Sequence, residues 1–375
     1  MSLRVCLAAN TVYYPGGGGH RWVYLNWALG LRALGCEVVW LEEAEPDRPA
    51  TDLYRGLAAL KQQLEPYGLA SSVAVCSAAG LPPTDCLELD AAAEADLLVN
   101  LRYGLPQAVV ERFRRSVLVD IDPGLLQLWM AGGQVHVPRH DVYVTTSEAV
   151  AFRTSDRIPD AGISWQHAPP CVALDWWPVC AAPDDAPFTT VSHWGTTEEW
   201  VADADGFYRN DKQVGFEPFL DLPRRVTRPL ELALCLSEWQ ECNDGVELRA
   251  HGWRVRHAST VASTPWDYQH YIQRSFGEFS CVKPSCVRLR NAWVSDRTLC
   301  YLASGKPAVV QHTGPSRLLP GGGGLLRFGN VDEAARAIRD VTDDYDKHCR
   351  LARELAQEVF DARTVAGRLL EVALP

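Results

Sequence analysis

The sequence has few basic residues, and lysine in particular is scarce. Lys and Arg together number 36 against 47 Asp and Glu, so the formal net charge of the 375-residue chain is −11. Such a chain has no overall attraction for phosphate backbones or anionic membrane surfaces. We therefore expect no nucleic acid among its partners, while a local basic site for one small anion stays compatible with the composition. Five lysines beside abundant Arg and Ala are typical of a high-GC bacterial source.

Long apolar runs are missing as well. No uncharged apolar stretch approaches the roughly 20 residues that span a bilayer. The N-terminus carries one charge before a short apolar run that ends at Asn10, which does not have the organisation of a signal peptide. We predict a cytoplasmic protein without an integral membrane segment.

The sequence lacks the spacings that bind metals or form disulfide frameworks. Its 12 cysteines are scattered and contain no C-x2-C pair. Cys281 and Cys286 have no second pair nearby, and Pro138 interrupts any helix that would place His136 and His140 on one face. We expect the cysteines to be buried thiols that pack as small apolar groups, and we predict no bound metal.

Neither of the common phosphate-binding fingerprints is complete. The glycine cluster at 16–19 would need a third glycine at position 21 or 22 to form G-x-G-x-x-G, but those residues are Arg21 and Trp22. The Gly-Lys pair at 305–306 is similar to the end of a P-loop, yet Pro307 stands where a Ser or Thr would bind magnesium. These departures argue against a nicotinamide dehydrogenase and against a Walker-type nucleotidase.

What the sequence does contain is a repeated alternation of strand and helix patterns. An apolar run at 3–9 is followed by the glycine loop, by a helix at 21–34 with apolar residues at helical spacing, and by a strand at 36–41. This is a βαβ unit, the building block of parallel sheets. The alternation continues through the first half, with helices predicted at 51–67 and 106–115 and strands at 72–76, 95–100, 116–122 and 141–147.

A proline-rich stretch at 158–187 marks the crossing between two domains. Beyond it, strands are predicted at 188–194, 245–251, 277–282, 308–310 and 325–328, and helices at 230–236, 267–276 and 296–304, before a mostly helical tail at 332–374. We predict a first domain at 1–185, a second at 186–345, and C-terminal helices at 346–375 that can cross back to the first domain.

Two helix starts carry groups suited to an anionic or sugar ligand. Glycine backbone at 16–19 lets amides approach a ligand closely. Ser295 is suited to cap the next helix, with Asp296 in its first turn, and Arg297 can hold a phosphate through two parallel hydrogen bonds. Each feature is also compatible with a tight turn and an ordinary cap. Because ligands of doubly wound sheets bind beyond the carboxyl ends of the strands, we expect one ligand between the two domains.

In the order and spacing of these motifs, the sequence resembles glycosyltransferases of the GT-B fold. The opening strand, the loop ending in Gly19 and His20, and the following ALGLRALGCEVVWL are similar to the start of the acceptor domain of that fold. SDRTLCYLASGKPAVVQHTG and LPGGGGLLRFGNVDEAARAI are similar to its donor domain, and the C-terminal half is also similar to uncharacterised bacterial glycosyltransferase-like proteins. The resemblance spans most of the chain and implies an α/β fold of two Rossmann-like, doubly wound domains that face each other across a cleft.

The resemblance implies an enzyme of the hexosyltransferase type, which moves a sugar from a nucleotide diphosphate donor to a small-molecule acceptor. In several inverting members a His directly after a Gly near the first strand is the general base, and His20 stands at that position. A near-neutral pKa suits an imidazole for taking the proton of the acceptor hydroxyl. Asp120 and Asp122, at the end of a neighbouring strand, are alternative bases or residues that orient His20.

On the donor side, the resemblance implies that the helix start at 295–297 binds the diphosphate, with Arg297 offsetting the charge of the leaving nucleotide. Glu278 is the candidate for the ribose hydroxyls. The full set of candidate donor contacts is Gly17, Gly18, Gly19, Glu278, Ser295, Asp296 and Arg297. In this scheme no metal or cofactor is needed, and a UDP- or dTDP-sugar serves as substrate.

The sequence leaves alternatives open for the stereochemical outcome and for the activity itself. Retaining members often carry Glu-x7-Glu in this region, but eight residues after Glu278 the chain has Cys286, which favours inversion. A nucleotide-sugar epimerase or phosphorylase would share the architecture. A catalytically inactive member that only binds a nucleotide or a partner is the third interpretation.

Overall fold

The computed structural model describes residues 2–77, 85–195, 200–319 and 321–374. A first sheet occupies the N-terminal half, and all its strand pairs are parallel, in the order β4-β3-β2-β1-β5-β6-β7-β8. Its strands are β1 (Arg4–Ala8), β2 (Glu37–Ala44), β3 (Val73–Ser77), β4 (Leu87–Glu88), β5 (Leu97–Asn100), β6 (Ser116–Asp120), β7 (Val142–Thr145) and β8 (Gln166–His167).

Helices lie between β1 and β2, between β2 and β3, and between each successive pair from β4 to β8, as is usual for parallel pairing. They are α1 (Gly18–Ala33), α2 (Ala50–Leu64), α3 (Leu89–Ala93), α4 (Gln107–Val110), α5 (Leu125–Ala131) and α6 (Glu148–Ala151). We call these strands and helices the N-terminal unit. Its first strand, β1, is central and buried, so the loop that follows it opens at the carboxyl edge of the sheet.

A second parallel sheet has the order β13-β12-β9-β14-β15-β16. The strands of this half, including the separate antiparallel hairpin β10-β11, are β9 (Phe188–His193), β10 (Trp200–Asp203), β11 (Gly206–Arg209), β12 (Leu230–Cys235), β13 (Arg254–His257), β14 (Gly277–Ser280), β15 (Ala308–Gln311) and β16 (Leu325–Phe328).

The helices of this half complete a second doubly wound arrangement. They are α7 (Lys212–Phe216), α8 (Glu238–Gln240), α9 (Val246–Ala250), α10 (Pro265–Gln273), α11 (Pro284–Arg288), α12 (Asp296–Ala303) and α13 (Val331–Asp343), followed at the C-terminus by α14 (Tyr345–Val359) and α15 (Ala362–Ala373). We call β9 to β16 with α7 to α13 the C-terminal unit. The predicted pair of doubly wound α/β sheets is confirmed. Over the described ranges, no helix combines the length and apolar character needed to cross a membrane.

Two elements of the second half differ from the sequence prediction. The run 230–236 was expected to be helical but contains β12, a strand between β9 and β13 in the sheet. A short apolar run buried on both faces has no period that separates strand from helix. The segment 245–251 was expected to be a strand but contains α9, which continues a π-helical turn at Glu241–Gly245. Its Glu, Leu, Arg and Ala are good helix formers.

The first helix also begins earlier than predicted, at Gly18 instead of Arg21. This places His20 in the first turn of α1, directly above the loop that follows β1. The glycine cluster is therefore divided between loop and helix.

One buried apolar cluster runs through both units. It includes Trp22 and Trp27 of α1, Trp177 of the crossing segment, Tyr268 of α10 and Leu299 of α12. The indole Nε1 of Trp22 donates a hydrogen bond to the carbonyl oxygen of Pro265 (2.8 Å). The N-terminal half of α1 is therefore packed directly on the C-terminal unit.

The C-terminal helix α15 lies against α1 on the N-terminal unit. A Cβ added at Gly30 would lie 2.5 Å from the carbonyl oxygen of Ala362, so the two backbones are in close contact there. Val172 of the crossing segment forms an isolated parallel bridge with Asp361. The residue boundaries predicted above for the domains stay a prediction.

Candidate functional site

A cleft of about 480 Å³ lies between the loop after β1 and the C-terminal unit. The loop residues 13–17 and the first residues of α1, Gly18 to His20, line one side. The ends of β9, β12 and β13 and the start of α12 line the other, where the strands of the second sheet present their carboxyl ends. The structure thus brings His20 and residues 295–297, which are 275 positions or more apart in the sequence, into one cavity.

A buried carboxylate holds the beginning of the loop in place. Glu42, at the end of β2, is fully buried and accepts hydrogen bonds from the amides of Thr11 (2.9 Å) and Val12 (3.1 Å) and from the indole of Trp40 (2.8 Å). The Thr11 hydroxyl donates a further hydrogen bond to it. Several donors satisfy the buried charge, so Glu42 fixes the path of the chain as it leaves β1.

Two of the glycines are required by packing between the units. A Cβ at Gly18 would lie 2.1 Å from the carbonyl oxygen of Thr264, and one at Gly19 would lie 2.6 Å from the ring of Tyr268. The amide of Gly18 donates to the carbonyl oxygen of Ala262 (3.0 Å), and that of Gly17 donates to Tyr14 (3.0 Å). The amides of Gly17 and Gly18, predicted to contact ligand, are therefore already hydrogen-bonded within the protein. Their ligand contact stays a prediction.

His20 is held in one tautomer by the backbone. Its Nε2 lies 2.7 Å from the carbonyl oxygen of Asn10. A carbonyl oxygen only accepts hydrogen bonds, so the neutral ring carries its proton on Nε2 and keeps the lone pair on Nδ1. Burial lowers the pKa of His20 below its usual value, although the bond to Asn10 opposes the shift. The imidazole is therefore neutral at neutral pH and can accept a proton at Nδ1.

The structure shows no hydrogen bond or ion pair between His20 and either Asp120 or Asp122 among the described contacts of the imidazole. Neither carboxylate is among the residues that line the cleft in the described part of the chain. Asp120 is fully buried, and its Oδ2 accepts hydrogen bonds from Gln127 (2.9 Å) and Thr145 (2.9 Å), which joins β6 to α5 and β7. Asp122 is close enough to Asp296 to raise the pKa of that carboxyl. The roles predicted for the two aspartates as base or orienting residue stay untested.

Burial raises the pKa of Asp120 to about 7, against about 3.9 in an unfolded chain. Between these two pH values the folded protein keeps the proton on Asp120, whereas the unfolded chain has released it. The contribution of this carboxyl to the free energy of unfolding is therefore present at low pH and is lost as pH rises from about 4 towards 7. Asp120→Asn stays uncharged. We expect its melting temperature to fall less than that of the wild type between pH 5 and 7, by a difference of several degrees. If thermal unfolding shows that the melting temperatures of the two proteins change in parallel with pH, this expectation is contradicted.

Arg297 is fixed by three partners in the C-terminal unit. Its Nε donates to Glu278 Oε1 (2.8 Å), one terminal nitrogen donates to the carbonyl oxygen of Val191 (2.8 Å), and the other donates to Ser280 Oγ (2.5 Å). Glu278 is fully buried and is thus the counter-ion of Arg297. Its predicted contact with a ribose stays untested. A guanidinium held in this way presents its remaining N–H groups in a fixed direction.

The start of α12 has the predicted backbone but not the predicted side-chain cap. Ser295 is at the N-cap position with extended φ and ψ, yet its hydroxyl makes no capping hydrogen bond. Burial raises the pKa of Asp296, the first helical residue, to about 6. The helix start and Arg297 both face the cleft, so this end of the cavity is suited to an anion.

Several polar groups on the C-terminal side of the cleft were not predicted from the sequence. They are His193, Cys235 and His257, which end β9, β12 and β13. The imidazole of His257 is held between the hydroxyl of Ser259 (2.6 Å) and the carbonyl oxygen of Leu236 (3.2 Å). Because ligands bind beyond the carboxyl ends of the strands, a correct assignment of β12 and β13 would have indicated Cys235 and His257. The predictions of a helix at 230–236 and a strand at 245–251 placed these two residues elsewhere.

No metal-binding cluster is found among the residues that the structure describes, where a cluster means three or more His, Cys, Asp or Glu side chains arranged to hold an ion. All 12 cysteines lie within the described ranges and are free thiols. Burial raises the pKa of several of them, including Cys6 and Cys281, so these thiols pack as apolar groups.

The sequence matches no protein-family model and no curated protein. Solved structures are nevertheless similar over the whole chain. HepE of Anabaena, in complex with UDP and glucose, is 15% identical with a TM-score of 0.60 over 98% of both chains. Sucrose-phosphate synthase from Thermosynechococcus elongatus is 13% identical with a TM-score of 0.57 over 98% of both chains.

A third similar structure is an alpha-glucosyltransferase in complex with UDP-glucose and DNA containing an abasic site, 11% identical with a TM-score of 0.57 over 100% of both chains. At these identities the likeness concerns the fold. The chain has the GT-B fold, with two Rossmann-like units facing each other across a cleft, and the resemblance noted in the sequence is confirmed at that level.

Proposed function

We propose that this protein transfers a sugar from a nucleotide diphosphate donor to a hydroxyl group of a small-molecule acceptor. The observation that carries the proposal is the convergence of His20 and the start of α12 on one cleft, each contributed by a different unit. The similar structures are glycosyltransferases, and HepE binds UDP and glucose in one of them. This supports a nucleotide sugar as the donor.

The donor end of the cleft is built for a diphosphate. Of the five N–H groups of Arg297, three are donated to Glu278, Val191 and Ser280, which leaves two for a phosphate. The amide groups at the start of α12 add the positive end of a helix dipole. Together they would stabilise the negative charge that develops on the leaving nucleotide, which is the task a metal ion has in other transferases.

The acceptor end of the cleft supplies the base. His20 Nδ1 would take the proton of the acceptor hydroxyl as its oxygen attacks the anomeric carbon and the diphosphate leaves. With the base and the binding site of the leaving diphosphate on opposite walls of the cleft, a single displacement would invert the anomeric carbon. We propose a metal-independent, inverting reaction with a UDP- or dTDP-sugar.

Binding of the donor is testable without knowledge of the sugar. We expect UDP or dTDP to raise the melting temperature by about 3–4 °C at a concentration near 100 times the dissociation constant, and GDP and ADP to raise it less. Arg297→Ala should abolish the shift. The double variant Arg297→Met/Glu278→Gln should do the same without leaving a buried unpaired carboxylate.

A matched control comes from the same unit. Arg288 forms a bidentate ion pair with Asp203 (2.8 and 2.9 Å) and does not line the cleft among the described residues, so Arg288→Ala should keep the full nucleotide shift. A double variant that still shows the full shift would contradict the placement of the diphosphate at Arg297.

A further inference from the structure

Among the described residues, the polar side-chain groups of the wall that the N-terminal unit contributes to the cleft are the hydroxyls of Tyr13 and Tyr14 and the imidazole of His20. The wall consists of Tyr13, Tyr14, Pro15, the glycines at 16–19, His20 and Val23. Among the described residues, this wall contains no acid, amide, lysine or arginine side chain. A site that selects a sugar by its many hydroxyl groups needs such hydrogen-bonding partners, since polar groups placed in a pocket are what fix a polar ligand.

The charged residues near the loop are paired with one another instead of facing the cavity. The guanidinium of Arg102 contacts Glu43 (2.7 Å), Glu45 (3.1 Å) and the side-chain oxygen of Asn10 (2.6 Å). Glu42 is fully buried beneath the loop. The polar groups of this region therefore serve to hold the loop, and none of these five residues lines the cleft.

One aromatic ring stands open beside the candidate base. Tyr14 is 54% exposed, and its ring centroid lies 5.5 Å from that of His20. A ring in this position offers a face to a second aromatic ring, for which offset or tilted contacts at 4.5–7 Å are favourable. The amide of Gly17 donates a hydrogen bond to the carbonyl oxygen of Tyr14 (3.0 Å), which anchors the backbone that carries this ring.

We propose that the acceptor is an apolar aromatic compound with a phenolic hydroxyl, whose ring packs against Tyr14 and whose oxygen lies at Nδ1 of His20. This inference rests on the proposed function. In the reaction, the bond between the phenolic oxygen and the anomeric carbon forms while the bond from that carbon to the donor phosphate oxygen breaks. The electron pair leaves with the nucleoside diphosphate, and the phenolic proton goes to His20.

The acidity of the acceptor agrees with the environment of the base. Burial lowers the pKa of His20, which makes it a weaker base than a solvated imidazole. A phenol loses its proton at a pKa of about 10, whereas water and the aliphatic alcohols that resemble it are far weaker acids. Proton transfer to His20 is therefore less unfavourable from a phenol than from a sugar hydroxyl.

The test measures binding of 4-methylumbelliferone to the full chain by its fluorescence, without any donor. We expect saturable binding with a dissociation constant below about 1 mM. Tyr14→Ala should weaken it at least tenfold, while Tyr14→Phe keeps the ring and should bind as the wild type does. Tyr54→Ala removes an equally exposed tyrosine (55%) on α2, outside the cleft, and should change nothing. Maltose should not compete.

Three results would overturn the acceptor assignment: no saturable binding up to about 1 mM, equal binding by Tyr14→Ala, or displacement of the phenol by maltose. The rise in melting temperature caused by nucleotides, measured in parallel, separates this inference from the proposed function. A nucleotide shift without phenol binding refutes the phenolic acceptor alone. Phenol binding without a shift from any of the four nucleotides refutes the transferase, and with it the acceptor role.

Discussion

Gly18→Ala should lower the melting temperature by about 4 °C, which corresponds to ~3 kcal/mol of overpacking in a chain of this size. The added Cβ would lie 2.1 Å from the carbonyl oxygen of Thr264 and 2.7 Å from that of Ala262. Both atoms belong to the backbone and cannot rotate away, so α1 and the segment before α10 must separate. Separation also breaks the hydrogen bond from the Gly18 amide to Ala262.

The neighbouring glycines provide a graded control. A Cβ at Gly16 would meet nothing within 4 Å, so Gly16→Ala should leave the melting temperature within about 1 °C of the wild type. Gly19→Ala would contact the ring of Tyr268, a side chain that can shift, and should fall between the two. If thermal unfolding finds Gly18→Ala as stable as Gly16→Ala, the contact between the units does not exist in solution.

Replacing His20 should reduce kcat/KM for sugar transfer by about 10²–10⁴-fold, the range that a positioned general base supplies. His20→Gln is the informative variant, because its amide can still donate to the carbonyl oxygen of Asn10 while it cannot act as a base. Nucleotide binding should be unchanged, since the diphosphate site lies on α12. The measurement is release of UDP or dTDP in the presence of an acceptor.

The pH profile gives a second readout for His20. Burial lowers the pKa of the imidazole, so the wild-type kcat/KM should stay high down to a pH below the usual histidine value near 6.5 and fall only at lower pH. His20→Gln should lose this limb of the profile. His136→Ala, which changes an exposed histidine away from the cleft, should keep it. Full activity in His20→Gln would mean that another group is the base.

Much of the architecture could be predicted from local patterns. The apolar strands at 3–9 and 308–310 and the helix that ends before Gly305 follow from periodicity and glycine. The predictions at 230–236 and 245–251 were wrong because these runs are short and their secondary structure is decided by the elements that pack around them. A strand between β9 and β13 is buried on both faces and leaves no alternation to detect.

The candidate site could be predicted only in outline. The order of motifs identified His20 and Arg297, but nothing near Arg297 in the sequence indicates that Glu278 and Ser280 occupy two of its nitrogens. Likewise, nothing near Gly18 indicates that Thr264 lies against it. These pairings join residues 17 to 246 positions apart, and no short-range rule reaches across such separations.

By itself, the amino-acid sequence determined the alternation of strands and helices, the two sheets and the glycine-rich segment that ends at His20, because these depend on spacing within a few turns of the chain. The tertiary structure alone decided which glycines are needed for packing, which charges pair with each other, and which side chains are left to face the cleft. Those outcomes depend on close packing and on the pairing of buried charges between distant segments, and such distances exist only once the chain has folded.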